Sequence, residues 1–248
     1  MAFKDHFSMQ AGQYTQFRPH YPREVFGFLA SLPRARDCAW DCGTGNGQAA
    51  VDLAEYFACV VATDPSAKQI AHAEEHVGVE YVVCSAEQCP LPTASIDLVT
   101  VALAIHWFDF DSFYAQVRRV GRAGSVLAVW CYGLANITPE VDQVVWHLYS
   151  DLLGSYWPPE RKLIEERYET IPFPFEEIHP PEFNMTAQWS LDEFLGYLGT
   201  WSSVQKFIER HHENPLNSVF DKLSQVWGSR NMKRQVHWPV YMRVGRIG

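Results

Sequence analysis

Apolar positions in the first half of the chain fall into two alternating patterns. Residues 38–42, 58–63, 79–84, 97–104 and 125–131 are short, nearly unbroken apolar runs of strand length. Unbroken rather than alternating hydrophobicity predicts strands covered on both faces, as in a parallel sheet. Between the runs, Ala50, Leu53, Ala54 and Phe57, then Phe110, Phe113, Tyr114 and Val117, repeat at the spacing of one helix face. Val25, Phe28, Leu29 and Leu32 do the same ahead of the first run. Strand and helix in alternation predict an α/β fold with a doubly wound, mostly parallel sheet and helices on both faces.

After Cys131 the pattern changes. Val141, Val144, Val145, Leu148 and Leu152 predict an amphipathic helix, and a Pro- and aromatic-rich stretch runs from Trp157 to Pro181. Two more helices are predicted around Leu191, Phe194, Leu195 and Leu198, and around Leu216, Val219, Phe220, Leu223 and Trp227. The end alternates Val236, Trp238, Val240, Met242 and Val244, which predicts a half-buried strand. Pro239 inside it suits an edge or a bulge better than a central place. These changes divide the chain into a core at 1–135, a helical cap with a returning strand at 136–232 and a final core strand at 233–248.

Composition narrows the class. Of 248 residues 47% are hydrophobic and 20% charged, the balance of a chain that buries a core. No apolar run is long enough to cross a bilayer, and the start lacks the apolar segment of a secretory signal. Acids exceed Lys plus Arg, giving a net charge of −9, which disfavours a nucleic-acid partner. Arg230, Lys233, Arg234, Arg243 and Arg246 are the exception, expected to be a solvated surface. The six cysteines show no zinc spacing, so no metal site is expected and a reducing, cytoplasmic setting is.

The sharpest motif joins the first strand to the following helix: Asp41, Gly43, Thr44, Gly45, Asn46, Gly47. Glycines let a strand turn tightly into a helix and expose backbone N–H groups to a ligand. Asp64, ending the second run, is placed to bind a ribose diol. A dinucleotide site is the rival, but position 48 is Gln where that pattern needs its third glycine. Asp41 ahead of the loop would attract a cation and repel a pyrophosphate.

With Asp64-Pro65-Ser66, Ala86-Glu87, and Asp97-Leu98-Val99 leading to Ala104-Ile105-His106-Trp107-Phe108-Asp109, the chain resembles the class I S-adenosylmethionine-dependent methyltransferases. Within them it resembles the small-molecule branch of trans-aconitate methyltransferase-like proteins. The resemblance implies a Rossmann-like, seven-stranded sheet and S-adenosyl-L-methionine as cofactor. It implies that Gly43, Thr44, Gly45, Asn46 and Gly47 line the methionine part with Asp41 near its amino group, and that Asp64 and Pro65 take the ribose. Ala86 and Glu87 would flank the adenine, and Ala102 and Leu103 would border the sulfonium. Tyr14 or Arg18 would hold the methionine carboxylate. Tyr132, Trp157 and Trp201, with His106 and Trp107, would line the acceptor chamber.

Methyl transfer from a sulfonium needs alignment and exclusion of water, and a base only when the acceptor is protonated. The expected acceptor is a small molecule, with a carboxylate oxygen as the candidate atom. An uncharged acceptor methylated on O or N with His106 as base, or a cofactor-binding protein without transferase activity, are the alternatives. His106 itself reads first as a wall residue and second as a base. Arg161, Lys162 and Arg167 read first as a surface helix shared with Glu165 and Glu166, and second as cations facing an anionic substrate.

Overall fold

The structure, a computed structural model, describes residues 17–248. Tyr14 lies outside the described residues. Helix α1 (Arg23–Ala30) leads into β1 (Cys38–Cys42), α2 (Gln48–Ala54), β2 (Cys59–Asp64), α3 (Ala67–Ala71) and β3 (Val79–Val83). Then come β4 (Ile96–Ala102), α4 (Phe110–Val120) and the long β5 (Gly121–Tyr132). The sheet order is β3-β2-β1-β4-β5, all parallel. The chain therefore winds outward one way from β1 and returns to start again at β4. The loops leaving β1 and β4 therefore share the carboxyl edge where the winding reverses, the place where ligands bind in such sheets.

The strand runs form because both faces are covered. Ala39, Val60, Ala62 and Leu98 face one apolar core with α1 and α2, while Trp40, Val61 and Val99 face the other with α4. Buried Asp97 anchors the opposite edge, accepting from the Asp37 and Cys38 amides and from Arg122.

The second half adds α5 (Pro139–Trp146), a π-helical turn (His147–Leu152), α6 (Arg161–Glu165), β6 (Glu176–Ile178), β7 (Phe183–Trp189), α7 (Leu191–Gly199), α8 (Ser202–His211), α9 (Leu216–Trp227) and β8 (Arg234–Arg246). Strand β8 lies antiparallel between β5 on one side and β6 and β7 on the other. Seven strands thus stand side by side, β7 pairing β8 beside the seventh. Pro239 is consequently not at a sheet edge, the first of the two places its sequence reading allowed. Its carbonyl accepts from Gly133 just past the end of β5, so the missing N–H points where the ladder has already stopped.

The C-terminal cations are not a free basic face. Arg230 pairs with Asp192 at 2.8 Å, Lys233 with Glu193 at 3.5 Å and Arg243 with Glu177. Arg234 and Arg246 donate to backbone carbonyls. Among the described residues no helix is long and apolar enough to cross a membrane, and no three metal-ligating side chains converge.

Helix α4 also has a local test. Its N-cap Asp109 accepts from the Ser112 amide at 2.9 Å, and the Asp109 amide donates to Glu87. Asp109→Ala is expected to lower stability by about 1 kcal/mol in chemical denaturation; an unchanged midpoint would show the cap to be idle.

Candidate active site

All three loop glycines have positive φ: Gly43 at 71°, Gly45 at 58° and Gly47 at 86°. The loop folds over β2, with the Gly43 and Thr44 amides both donating to the Thr63 carbonyl, at 2.8 and 2.9 Å. Their reasons for lacking a side chain differ. A Cβ on Gly43 would stand 2.5 Å from Cβ of Ala104, so here the loops after β1 and β4 touch. A Cβ on Gly47 would meet the Tyr81 hydroxyl of β3 at 2.2 Å. A Cβ on Gly45 would meet nothing within 4 Å. Two glycines allow packing; the third faces open space.

Two carboxylates brace this loop. Asp41 is 1% exposed and accepts from the hydroxyls of Thr44, at 2.6 Å, and Thr100, at 2.8 Å. Burial pushes its pKa up to about 6, and the charge on Asp64 adds to the rise. Asp64 accepts from the Gly45 amide at 2.9 Å and the Ser66 amide at 2.8 Å. Pro65 and Asn46 are half-buried beside them. Ala86 is buried, and half-buried Glu87 joins the segment after β3 to the Asp109 amide after β4. Arg18 donates to the Tyr132 hydroxyl, while Gln48, just after the loop, donates to the Pro19 carbonyl at 3.2 Å. The front segment thus runs between the start of α2 and the end of β5.

The chain leaves β4 through an unusual conformation. Ala102 is half-buried, and Leu103 has φ 55°, a left-handed angle that costs a non-glycine residue about 1–2 kcal/mol. Its amide is held by the Trp130 carbonyl at 2.8 Å. A 3-10 turn, Ile105–Trp107, follows. His106 is 7% exposed, its Nδ1 paired with the Tyr168 hydroxyl at 2.8 Å and its ring 4.8 Å from that of Trp107. Burial, helped by the positive charge of Arg161, lowers its imidazole pKa to about 3.

The cap aromatics assemble nearby. Tyr149, Trp157 and Trp201 are mutual neighbours, with ring centroids 4.8–5.8 Å apart. Trp201 and Tyr132 are buried, Trp157 half-buried. Tyr149, Tyr168 and Thr100 escaped the sequence reading, because each joins the site through a contact dozens of residues away. A separate apolar cavity of about 370 Å³ lies among Phe17, Leu195, Val204, Ile208, Leu216 and Phe220. It shares no residue with the glycine loop.

Comparison with known proteins decides the family. The model for the methyltransferase domain matches residues 40–129. A Dictyostelium discoideum protein assigned as a methyltransferase is 36% identical over 247 residues, covering 97% of this chain and 94% of that one. A solved structure of a protein assigned as a type II methyltransferase from Anaeromyxobacter dehalogenans superposes with a TM-score of 0.88 at 47% identity, covering 93% of this chain and 98% of that one. A Saccharomyces cerevisiae protein assigned as an S-adenosylmethionine-dependent methyltransferase is 25% identical over 278 residues, 94% of each chain. The chain is a class I S-adenosylmethionine-dependent methyltransferase.

The residues of this methyltransferase fit that cofactor on structural grounds. Open, left-handed Gly45 lies between the carboxylates of Asp41 and Asp64, and an anionic surround suits a cationic ligand better than a diphosphate. The strained exit of β4 stands beside the loop, where the Ala104 methyl group meets Gly43.

Proposed function

We propose that this methyltransferase esterifies a carboxylate oxygen of a small-molecule acceptor. The supporting observation is the state of His106. A buried imidazole with a pKa near 3 is neutral at pH 7 and too weak a base to strip a proton from an alcohol or an ammonium. A carboxylate is already ionised and needs no base. When bound, S-adenosyl-L-methionine supplies an electrophilic methyl group on sulfur. A carboxylate acceptor would bring its own lone pair to that methyl group, so the residues around it would need only to orient it and exclude water, with no proton to move.

In this reading the backbone at 43–47 cradles the methionine part, Asp41 offsets its positive charge from behind the loop, and Asp64 with Pro65 takes the ribose. Ala86 and Glu87 flank the adenine, and Arg18 holds the methionine carboxylate. Ala102, Leu103 and His106 border the reacting centre, with Trp107, Tyr132, Trp157 and Trp201 as acceptor-side walls that exclude water. The acidic balance and the internally paired C-terminal cations argue for a small molecule rather than a nucleic acid. Six free cysteines fit a reducing compartment, the cytoplasm.

A labelled-methyl screen over carboxylic acids, phenols and amines is the test, and label is expected in base-labile esters of carboxylic acids. With cofactor saturating at every pH, His106→Ala should change turnover on the best acid by less than about threefold, and the rate should stay flat from pH 6 to 8. Label confined to phenols or amines, with a rate that falls on acidification and is abolished in His106→Ala, would overturn the proposal.

A further inference from the structure

Arg161 opens α6 and is half-buried. Its guanidinium carbon lies 4.7 Å from the ring centre of Trp157 and 5.4 Å from that of Tyr149. Its Nε donates to the Tyr149 hydroxyl at 3.0 Å. That hydroxyl in turn donates to Glu165, and Trp157 is fixed by its indole N–H on the Tyr149 carbonyl at 3.1 Å. The fork is therefore held in one orientation by aromatic groups that are themselves held.

Its two terminal nitrogens make no hydrogen bond and no ion pair with another described residue, and neither is among the buried polar atoms without a partner. They are open to a guest. Arg243 shows the contrast: it gives its terminal nitrogens to Glu177 and to the Tyr168 and Ile171 carbonyls. The position of Arg161 is as telling as its lack of an anion. Helix α6 packs against the turn that follows β4, and the charge of Arg161 is felt at His106, Tyr168 and Cys131. A cation with open donors thus stands beside the residues that border the acceptor.

We propose that Arg161, stacked on Trp157 and Tyr149, binds a carboxylate handle on the acceptor, distinct from the atom that is methylated. A planar guanidinium edge matches a carboxylate with two parallel N–H···O bonds, and one cation balances its single charge. A carboxylate held that way has its lone pairs engaged and its charge offset, so it is a poor nucleophile. It anchors the molecule while a second group is aimed at the methyl. Acceptors are accordingly polyfunctional, with one anionic end against the aromatic wall. This inference rests on the reading that the acceptor enters beside His106.

The test is calorimetry on the full chain saturated with S-adenosylhomocysteine, using succinate, glutarate, fumarate and phenylacetate and the mono-amide of each diacid or amide of each monoacid as probes. Wild type, Arg161→Gln and Arg161→Lys are compared. At least one acid is expected to bind wild type tenfold or more tightly than its amide. Arg161→Gln should remove that preference by weakening the acid alone, and Arg161→Lys should keep part of it. S-adenosylhomocysteine affinity within twofold across the three proteins verifies the fold. The proposal is overturned if no acid outbinds its amide, or if Arg161→Gln binds every acid as wild type does. Methyl transfer separates the two readings. A diacid whose binding depends on Arg161 but which takes no methyl on its second carboxylate sinks carboxyl esterification and leaves the handle. Esterification indifferent to Arg161→Gln does the reverse.

Discussion

Gly45→Ala is expected to fold as the parent does and to lose cofactor binding by more than about 100-fold, roughly 2.7 kcal/mol. The two effects separate because of where the new methyl group would go. A left-handed φ of 58° costs alanine about 1 kcal/mol, and no atom within 4 Å adds a clash. The added carbon would instead occupy the open face of the loop, between the Asp64 carboxylate that holds the Gly45 amide and the space a ligand needs. Gly43→Ala and Gly47→Ala should behave oppositely, losing stability first, since their new carbons would stand 2.5 Å from Ala104 and 2.2 Å from Tyr81. Thermal melts with and without S-adenosylhomocysteine distinguish the cases. A Gly45→Ala protein that is stabilised by the ligand as much as wild type would show that the cradle is elsewhere.

That division of labour could not be seen in the glycine spacing, which reads alike at 43, 45 and 47. What spacing did carry was the sheet. Five apolar runs became β1 to β5, all parallel; burial on both faces of β1, β2, β4 and β5 leaves a signature that local sequence retains, while the edge strand β3 is only partly covered. The cap was harder. Helix α8 carries Val204, Phe207 and Ile208 among polar residues and reads weakly, and β6 has three residues. The helix predicted through Leu152 holds α-geometry only to Trp146 before it widens into a π-helical turn. Pro239 left edge and irregular pairing both open for a specific reason: a missing N–H is tolerated inside a sheet opposite the point where the neighbouring strand ends, and that end is set by β5, more than a hundred residues away.

The chemistry divided the same way. Asp41 and Asp64 stand next to the turn they brace, and local sequence exposes them. Arg161 read first as part of a surface helix and only second as facing an anionic substrate, because its acidic neighbours on the chain were visible and its neighbours in space, Tyr149 and the turn holding His106, were not. Tyr168 was silent for the same reason: it meets His106 across 62 positions. Long-range contacts made it a partner, and nothing in its immediate sequence marks it.

Asp41→Asn is expected to raise the melting temperature at pH 7.5 while weakening the cofactor tenfold or more. The buried carboxyl has a pKa of about 6 in the folded chain, above its ordinary value of 3.8. The folded state therefore favours the protonated form. The stability this contributes is complete below pH 3.8 and is lost as pH rises through 6. At pH 7.5 the ionised group costs about 3 kcal/mol, less whatever the Thr44 and Thr100 hydroxyls lose when they face an amide. Removing the charge should raise the melt at pH 7.5 and bring no gain at pH 4. In the proposed site that cost has a function. A cation bound against the loop favours the ionised form, so wild-type cofactor affinity should fall as pH drops from 7 to 5, and binding at pH 6 should release protons. Calorimetry in two buffers of different ionisation enthalpy measures that release directly. Asp41→Asn should abolish both the proton release and the pH dependence. If the variant bound the cofactor as tightly as wild type, or melted lower at pH 7.5 than at pH 4 relative to it, the carboxyl would be a plain structural brace for the turn, and the electrostatic account of the loop would have to be given up.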